Sequence, residues 1–454
     1  MNRTPPSHPV ILFDATLLGE GAATPRHQRG LYRVVQELAW RLAARPDLSL
    51  RFHTNRDNGT AVLHAIRTDR RLRQVPVVGI PARCRWLAFT IPWQAALDVF
   101  VTWLQSKPKS AGWRFTIARP LRKPAILILN GLVWLTRTPP TTDHGNADAS
   151  FFPYLERPDW PGNDLGRFPL AVIIHDLIPF RFPINHSPAD TARFVQTLQA
   201  IPATAQVLCV SEFTRRDWLD FRPEFPPANV QVIPLAATAA FQPEANPARL
   251  AAAKQRIGLP ANARYIFSLC YLEPRKNLIG LIQAFGKLLK RHPDTQDLFL
   301  VLAGGKGWHY RELLDEQRRD PILQDRVLFP GLLPDDILPA LYAGATVSAC
   351  VSFYEGFGLP VLESMQCGCP VVIANRTSLP EVAGDAGILV DPGNADEIAA
   401  ALESVLNDPE LRRALSERSR ERARHFSWDA CADRIAVILK SLADGQTGNP
   451  VQHS

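Results

Sequence analysis

Two glutamates, spaced Glu355-x7-Glu363, lie in the stretch FYEGFGLPVLESMQCGCPVVIANRTSLPE at 353–381. The apolar run Val347–Val351 leads into the loop that carries the first, and a helix predicted over 360–367 carries the second. Pro360 suits the first helical position, where its missing N–H leaves nothing unpaired. A second apolar run, 370–374, follows the helix. Strand–loop–helix–strand order puts the loop at the carboxyl edge of a parallel sheet, where open α/β folds bind ligands. Open N–H groups and the dipole at the helix start favour an anion. The two carboxylates can accept hydrogen bonds from sugar hydroxyls. Gly356 and Gly358 are expected to let the backbone approach a ligand closely, with no Cβ in the way. The chemistry that fits is recognition of a sugar joined to phosphate. A structural alternative stands beside it: Glu355 as a loop cap, and Glu363 as a surface acid complementing the helix dipole.

The elements that must hold these residues alternate between strand and helix. Residues 9–14 (PVILFD) read as a first strand and 29–44 as an amphipathic helix, with a polar loop from Gly19 to Gln28 between them. Further strands are expected at 170–175, which ends in His175-Asp176, and at 205–211 and 230–236. Ser211 is placed to cap a helix running through Trp218. After a linker rich in Ala, Pro and Asn at 237–250, the pattern restarts. Strands are expected at 264–270, 297–303, 326–329, 345–351 and 370–374, and helices at 277–291 and 335–343. This alternation argues two parallel, doubly wound sheets. The expected units are 1–238, 239–425 and a closing helix with a loose tail, 426–454.

Composition narrows the class. The 454 residues are 46% apolar and 21% charged, as in ordinary globular proteins, and are long enough for two cores. Seven scattered cysteines imply no disulfide framework, and Cys367-Gly-Cys369 has no second pair at zinc spacing. The opening segment MNRTPPSHPVILFDATLL lacks the apolar core of a signal peptide, and no bilayer-spanning helix is expected. A cytoplasmic location is expected. Net charge is +7, with arginine-rich stretches at 67–73 and 114–123. A basic surface suits nucleic acid, anionic lipid or phosphorylated substrates, or is a solvated charged face; of these partners, nucleic acid is not expected. Residues 80–165 carry Trp86, Trp93, Trp103, Trp113, Trp134 and Trp160 beside basic clusters. That mixture fits either a surface lying at a lipid headgroup layer or an elaboration packed on the first unit. GGKGW at 304–308 lacks phosphate-loop spacing, and no G-x-G-x-x-G follows the first strand, so a dinucleotide oxidoreductase is not expected.

The motif EGFGLPVLE, with GCPVVIANRTSLPEVAGDAGILVDP after it, resembles the signature of retaining glycosyltransferases of family 4, which have the GT-B fold. SLCYLEPRKNLIGLIQAF at 268–285 is a second match, and its LEPRKN is similar to O-antigen mannosyl- and rhamnosyltransferases. The resemblance implies two Rossmann-like domains facing a cleft, with the last helix crossing back to the first. It implies that Glu355 contacts the donor sugar and Glu363 the nucleotide ribose. Phe357, Gly358 and Leu359 would offer backbone contacts to sugar and diphosphate, and the base would lie near Phe329 to Gly331. Lys276 matches the family's diphosphate-neutralising lysine. Where many members place an Arg, this chain has Tyr271, and Arg275 is the candidate replacement. His175 matches the family's His-Asp near the donor; its alternative is a histidine satisfied in a strand-end turn. Asp176 reads as an orienting or capping residue. Asp14, Gly19, Arg29 and Gly30 would line the acceptor side, with Gly30 letting the following helix come close.

The function implied is transfer of a sugar, with mannose from GDP-mannose the leading choice, to a saccharide or lipid-linked saccharide acceptor in bacterial surface polysaccharide assembly. A peripheral position on an anionic membrane would suit such an acceptor. No Asp-x-Asp occurs, so neither metal nor other cofactor is expected. The rival readings are an epimerase-like enzyme on nucleotide sugars and an inactive scaffold.

Overall fold

The computed structural model describes residues 8–24, 30–54, 58–80, 87–105, 123–132, 146–155, 168–293 and 295–445. Two six-stranded parallel sheets form. The first contains β1 (Val10–Asp14), β2 (Ser49–His53), β3 (Ala149–Phe152), β4 (Leu170–Ile174), β5 (Gln206–Cys209) and β6 (Val230–Val232), in the order β2-β1-β3-β4-β5-β6. The second contains β7 (Arg264–Leu269), β8 (Leu298–Ala303), β9 (Val327–Gly331), β10 (Val347–Cys350), β11 (Val371–Ala374) and β12 (Gly387–Val390), in the order β12-β11-β10-β7-β8-β9. Their near-continuous apolar runs match burial on both faces by helices. In each sheet the order reverses at one point, between β1 and β3 in the first and between β7 and β10 in the second.

Two sequence expectations are corrected here. The 80–165 segment is more than an elaboration, because β3 lies inside it and pairs with both β1 and β4 at the centre of the first sheet. Four residues, ASFF, are too short a run to declare a strand by periodicity. Of the tryptophans there, Trp86, Trp113, Trp134 and Trp160 lie outside the described residues, as do 114–122 of the second basic stretch. The second correction concerns the loop expected from Gly19, which begins as a helix, Thr16–Ala23. A Cβ on Gly19 would stand 2.7 Å from Val62 Cγ2, so glycine here allows close packing on the Gly59–Thr68 helix. Packing overrides the weak intrinsic propensity of glycine.

The last helix, Trp428–Ala443, returns to the first sheet's unit. Its buried face, with Ile435 and Leu439, joins one core with Val34 and Leu38 of the Leu31–Ala43 helix. Ion pairs fix its register: Arg41 Nε–Asp429 at 2.6 Å and Lys440 Nζ–Asp47 at 2.7 Å, with Arg45–Asp433 between them. Among the described residues, no helix is long and apolar enough to cross a membrane.

Candidate active site

The reversal between β7 and β10 opens a crevice at the strands' carboxyl ends, and both halves of the candidate site emerge there. After β7, a short 3-10 turn, Pro274–Lys276, turns back toward the sheet. After β10 comes the loop with Glu355. Lys276 Nζ meets Glu355 Oε1 at 2.6 Å, and Ser352 Oγ donates to the same oxygen at 2.7 Å. Arg275 Nη1 lies 3.1 Å from Glu355 Oε2 and also donates to the Tyr354 carbonyl. Burial alone would push the Glu355 carboxyl up, but Lys276, Arg275 and Ser352 hold it at about 2. Glu355 is therefore an anion with fixed orientation, 8% exposed, and not a loop cap.

Arg275 is itself buried, and its Nε and Nη2 engage Glu273 Oε1 at 3.1 and 2.6 Å. Its charge is met by Glu273 and Glu355, so it braces the loop, whereas Lys276 lines the cleft with Glu355 as its one ion-pair partner among the described residues. Tyr271, where the family often has Arg, is 56% exposed at the same cleft.

The loop is clamped from behind by Thr377 and Ser378. Ser378 Oγ contacts the carbonyls of Glu355 and Phe357, each at 2.8 Å, and Glu355 N donates to Thr377 Oγ1 at 3.1 Å. Thr377 holds φ at 59°, a left-handed conformation that a β-branched residue rarely adopts. No side chain caps the Leu359–Gln366 helix at Gly358. Pro360 has no N–H, and Val361 N and Leu362 N donate to the Gly358 carbonyl at 3.0 and 3.2 Å, so what the helix start offers an anion at the cleft is chiefly its dipole. Phe357 packs its ring on Phe426 at 5.8 Å between centroids, and Leu359 lines the cleft.

Both glycines line the cleft, and each also has a role within the fold. A Cβ on Gly356 would lie 1.8 Å from the His175 carbonyl oxygen, so the glycine permits the two units to touch backbone to backbone. Gly358 holds φ at 111° as it enters the helix. Around that contact the first unit grips the loop. Ser211 Oγ and Thr214 Oγ1 donate to the Gly356 carbonyl at 2.7 and 3.0 Å, while Ser211 also caps its own helix by accepting from Thr214 N. Tyr354 inserts between Phe182 and Phe213, accepts from Leu177 N at 3.2 Å and donates to Asp217. Glu381 accepts from Glu212 N and Phe213 N at 2.8 and 2.7 Å. None of these cross-unit bonds has a local signature in the sequence; only the capping residue Ser211 announced itself.

His175 sits at the end of β4, opposite Gly356. Its Nε2–H donates to the Pro153 carbonyl at 2.8 Å, and burial pulls the imidazole down to about 4. It is neutral, with Nδ1 left as a hydrogen-bond acceptor. Asp176 Oδ1 accepts from Ile178 N at 2.9 Å, an Asx turn that leads into the Ile178–Arg181 helix, whose N-cap position is Leu177. Glu363 is 7% exposed and not a surface acid; burial raises its carboxyl to about 7 while Arg33, from the first unit, lowers it.

Both units line a single cleft of about 850 Å³ containing Lys276, Glu355, Glu363 and His175. Gly30, with φ at 50°, lies at its rim, and its conformation rather than a close helix approach explains the glycine, since a Cβ there would have no atom within 4 Å. Gly19 does not line the cleft; Leu17, Glu20 and Ala23 of the same helix do. Asp14 instead bonds Thr16, with Oδ1 accepting from its N at 3.0 Å and its Oγ1 at 2.6 Å. Arg29 lies outside the described residues.

Residues 251–422 match the family described as Glycosyl transferases group 1. The O-antigen chain mannosyltransferase B of Escherichia coli is 35% identical over 277 residues, covering 59% of this chain and 69% of that protein. Among solved structures, the sucrose-phosphate synthase of Thermosynechococcus elongatus superposes with a TM-score of 0.64 at 20% identity, covering 96% of this chain and all of that one. The Anabaena HepE protein in complex with UDP and glucose gives 0.62 at 18% identity, covering 96% and 100%.

Proposed function

The chain belongs to the group 1 glycosyl transferases and has their two-domain GT-B fold, and we propose that it is a retaining, metal-independent hexosyltransferase of the family 4 type. We take the donor to be GDP-mannose, the acceptor a saccharide carried on a lipid, and the product a bacterial surface polysaccharide. The mannosyltransferase relative supports the sugar and the pathway. One observation carries the site: Lys276 and Glu355 meet across the reversal point of the second sheet, beside a helix N-terminus that no side chain caps and in a cleft that both domains line.

In this reading the diphosphate lies on the helix start and Lys276, which offset the negative charge that grows as the sugar leaves. Glu355 and the Nδ1 atom of His175 accept hydrogen bonds from sugar hydroxyls, and Glu363 accepts from the ribose. The acceptor hydroxyl attacks the anomeric carbon on the face from which the diphosphate departs. The carbon–oxygen bond to phosphate breaks as the new one forms, and the acceptor proton passes to the leaving phosphate oxygen. No protein nucleophile takes part. Fixed cationic charge from Lys276 does what a metal ion does elsewhere, which supports a metal-independent reaction.

A lipid-linked acceptor is supported by the Ile91–Gln105 helix. Ile91 and Gln94 line the cleft, while Trp93 and Val99 of this helix and Phe89 just before it stand exposed, as do Leu127 and Ile128 of the helix it packs on, 123–132. The arginines of 67–73 are exposed, and Arg71 stacks on Trp40. Incubation with GDP-mannose, EDTA and a mannosylated lipid acceptor tests the assignment. GDP release that requires the acceptor is the expected result; sugar interconversion without an acceptor would replace transfer with epimerisation.

A further inference from the structure

Glu363 is not met by its own domain alone. Arg33 reaches from the Leu31–Ala43 helix of the first domain and places Nη1 3.1 Å from Glu363 Oε1. Its Nη2 pairs with Asp335 Oδ1 at 2.6 Å, and its guanidinium carbon lies 5.8 Å from the Phe241 ring centroid. A single side chain from the acceptor half thus joins two carboxylates of the donor half, and all three line the cleft.

We propose that Arg33 is a positioning residue of the nucleotide site: the first domain supplies, through it, the charge that keeps Glu363 an anion able to accept hydrogen bonds from both hydroxyls of a donor ribose. The inference rests on the reading of Glu363 as the ribose ligand. A carboxylate accepts at both oxygens, whereas a carboxylic acid gives up one of them to its own proton. Two vicinal hydroxyls need both. The ionised group has room for Arg33 and the ribose together, since its two oxygens offer about four lone-pair sites.

The surroundings of Glu363 leave this task to Arg33. Burial favours the protonated acid, and the nearby Asp335 adds to that. The buried Tyr342 hydroxyl makes no hydrogen bond among the described residues and so lends the anion little support, and the Cys367 thiol at the end of the same helix stays protonated because burial raises its pKa. The Pro409–Ala423 helix packs on another side, but Arg422 there turns to the carbonyls of Glu381 and Val382. Glu381 is occupied in capping the Glu212–Phe221 helix. Without Arg33, Glu363 keeps its proton at neutral pH and the ribose loses an acceptor. The nucleotide site is then complete only when the first domain is closed onto it.

The test is calorimetric binding of GDP, UDP and ADP to the full chain between pH 6 and 9. The tightest binder is used further, with its 2′,3′-dideoxy form alongside. Wild-type affinity should rise through about pH 7 as Glu363 ionises. Arg33→Met should bind at least about tenfold more weakly at pH 7, recover as pH rises, and show a midpoint at least one unit higher, since a tenfold change in affinity corresponds to one such unit. Arg33→Lys should return most of the way to the wild-type profile, which separates charge from a folding defect. The dideoxy nucleotide should bind wild type and Arg33→Met alike, without the pH dependence. An Arg33→Met profile with the wild-type midpoint, or uniform weakening without recovery at high pH, would overturn the inference. The underlying reading fails separately, if Glu363→Gln binds as tightly as wild type or if none of the three nucleotides binds.

Discussion

Lys276 Nζ stands 2.6 Å from Glu355 Oε1, and the two residues leave neighbouring strands, β7 and β10, on opposite sides of the point where the strand order reverses. The pair is local in space and distant in sequence, so its geometry is set by the whole second sheet. It places a cation and an anion together at the crevice where a nucleotide sugar is proposed to lie.

Lys276→Ala should lower kcat by about 10²–10³-fold, the usual loss when one stabiliser of developing charge is removed. KM for the nucleotide sugar should change less, because the growing charge belongs to the transition state. Lys276→Arg should recover part of kcat. Steady-state kinetics on both variants checks this, and a loss confined to KM would place Lys276 in ground-state binding only.

Acid stability should report the same pair. The Glu355 carboxyl sits at about 2 in the folded protein, below its ordinary 4.5, with Lys276 and Arg275 outweighing burial. A depressed carboxyl adds stability that is present above pH 4.5 and is lost as pH falls through 2. At about 1.4 kcal/mol per unit the effect is about 3 kcal/mol. Denaturant unfolding at several pH values in this window should show wild type losing about that much more than Glu355→Gln. Parallel losses would mean that the ion pair contributes nothing to folding.

Gly356→Ala probes the contact between domains. The added Cβ would meet the His175 carbonyl at 1.8 Å, with backbone on both sides and no flexible side chain to yield. The variant should lose about 1–3 kcal/mol, as overpacked sites do, and should widen the cleft in small-angle scattering. Gly131→Ala is the control: no atom lies within 4 Å of its Cβ, and its melting temperature should hold or rise.

Anionic vesicles should retain the protein at low salt and release it as salt rises, since exposed arginines at 67–73 act within a Debye length. Replacing the exposed Phe89 and Trp93 by Ser should weaken retention without altering turnover of a water-soluble acceptor. Co-sedimentation measures both, and binding that ignores lipid charge and these two residues would remove the membrane from the account.

Much of the donor half was legible because its chemistry is carried by short segments. Glu355, Glu363 and Lys276 stand in motifs whose strand–loop–helix context periodicity alone recovers, and Ser211 declares its cap by residue type. The acceptor half was less so. β3 is four residues long, and the Thr16–Ala23 helix carries glycines that only its packing against Val62 justifies. Arg33 and Tyr354 act on residues far along the chain, and no spacing rule relates Arg33 to Glu363 or Tyr354 to Asp217. Such contacts are products of domain docking.

The most direct test of the central claim is acceptor-dependent release of nucleoside diphosphate from a nucleotide sugar, in EDTA, by wild type and Glu355→Gln. The account predicts release only when the saccharide acceptor is present, undiminished by EDTA, and reduced by orders of magnitude in Glu355→Gln. Equal release by the variant, or release by wild type that is abolished by EDTA, would contradict a donor site built on Lys276 and Glu355.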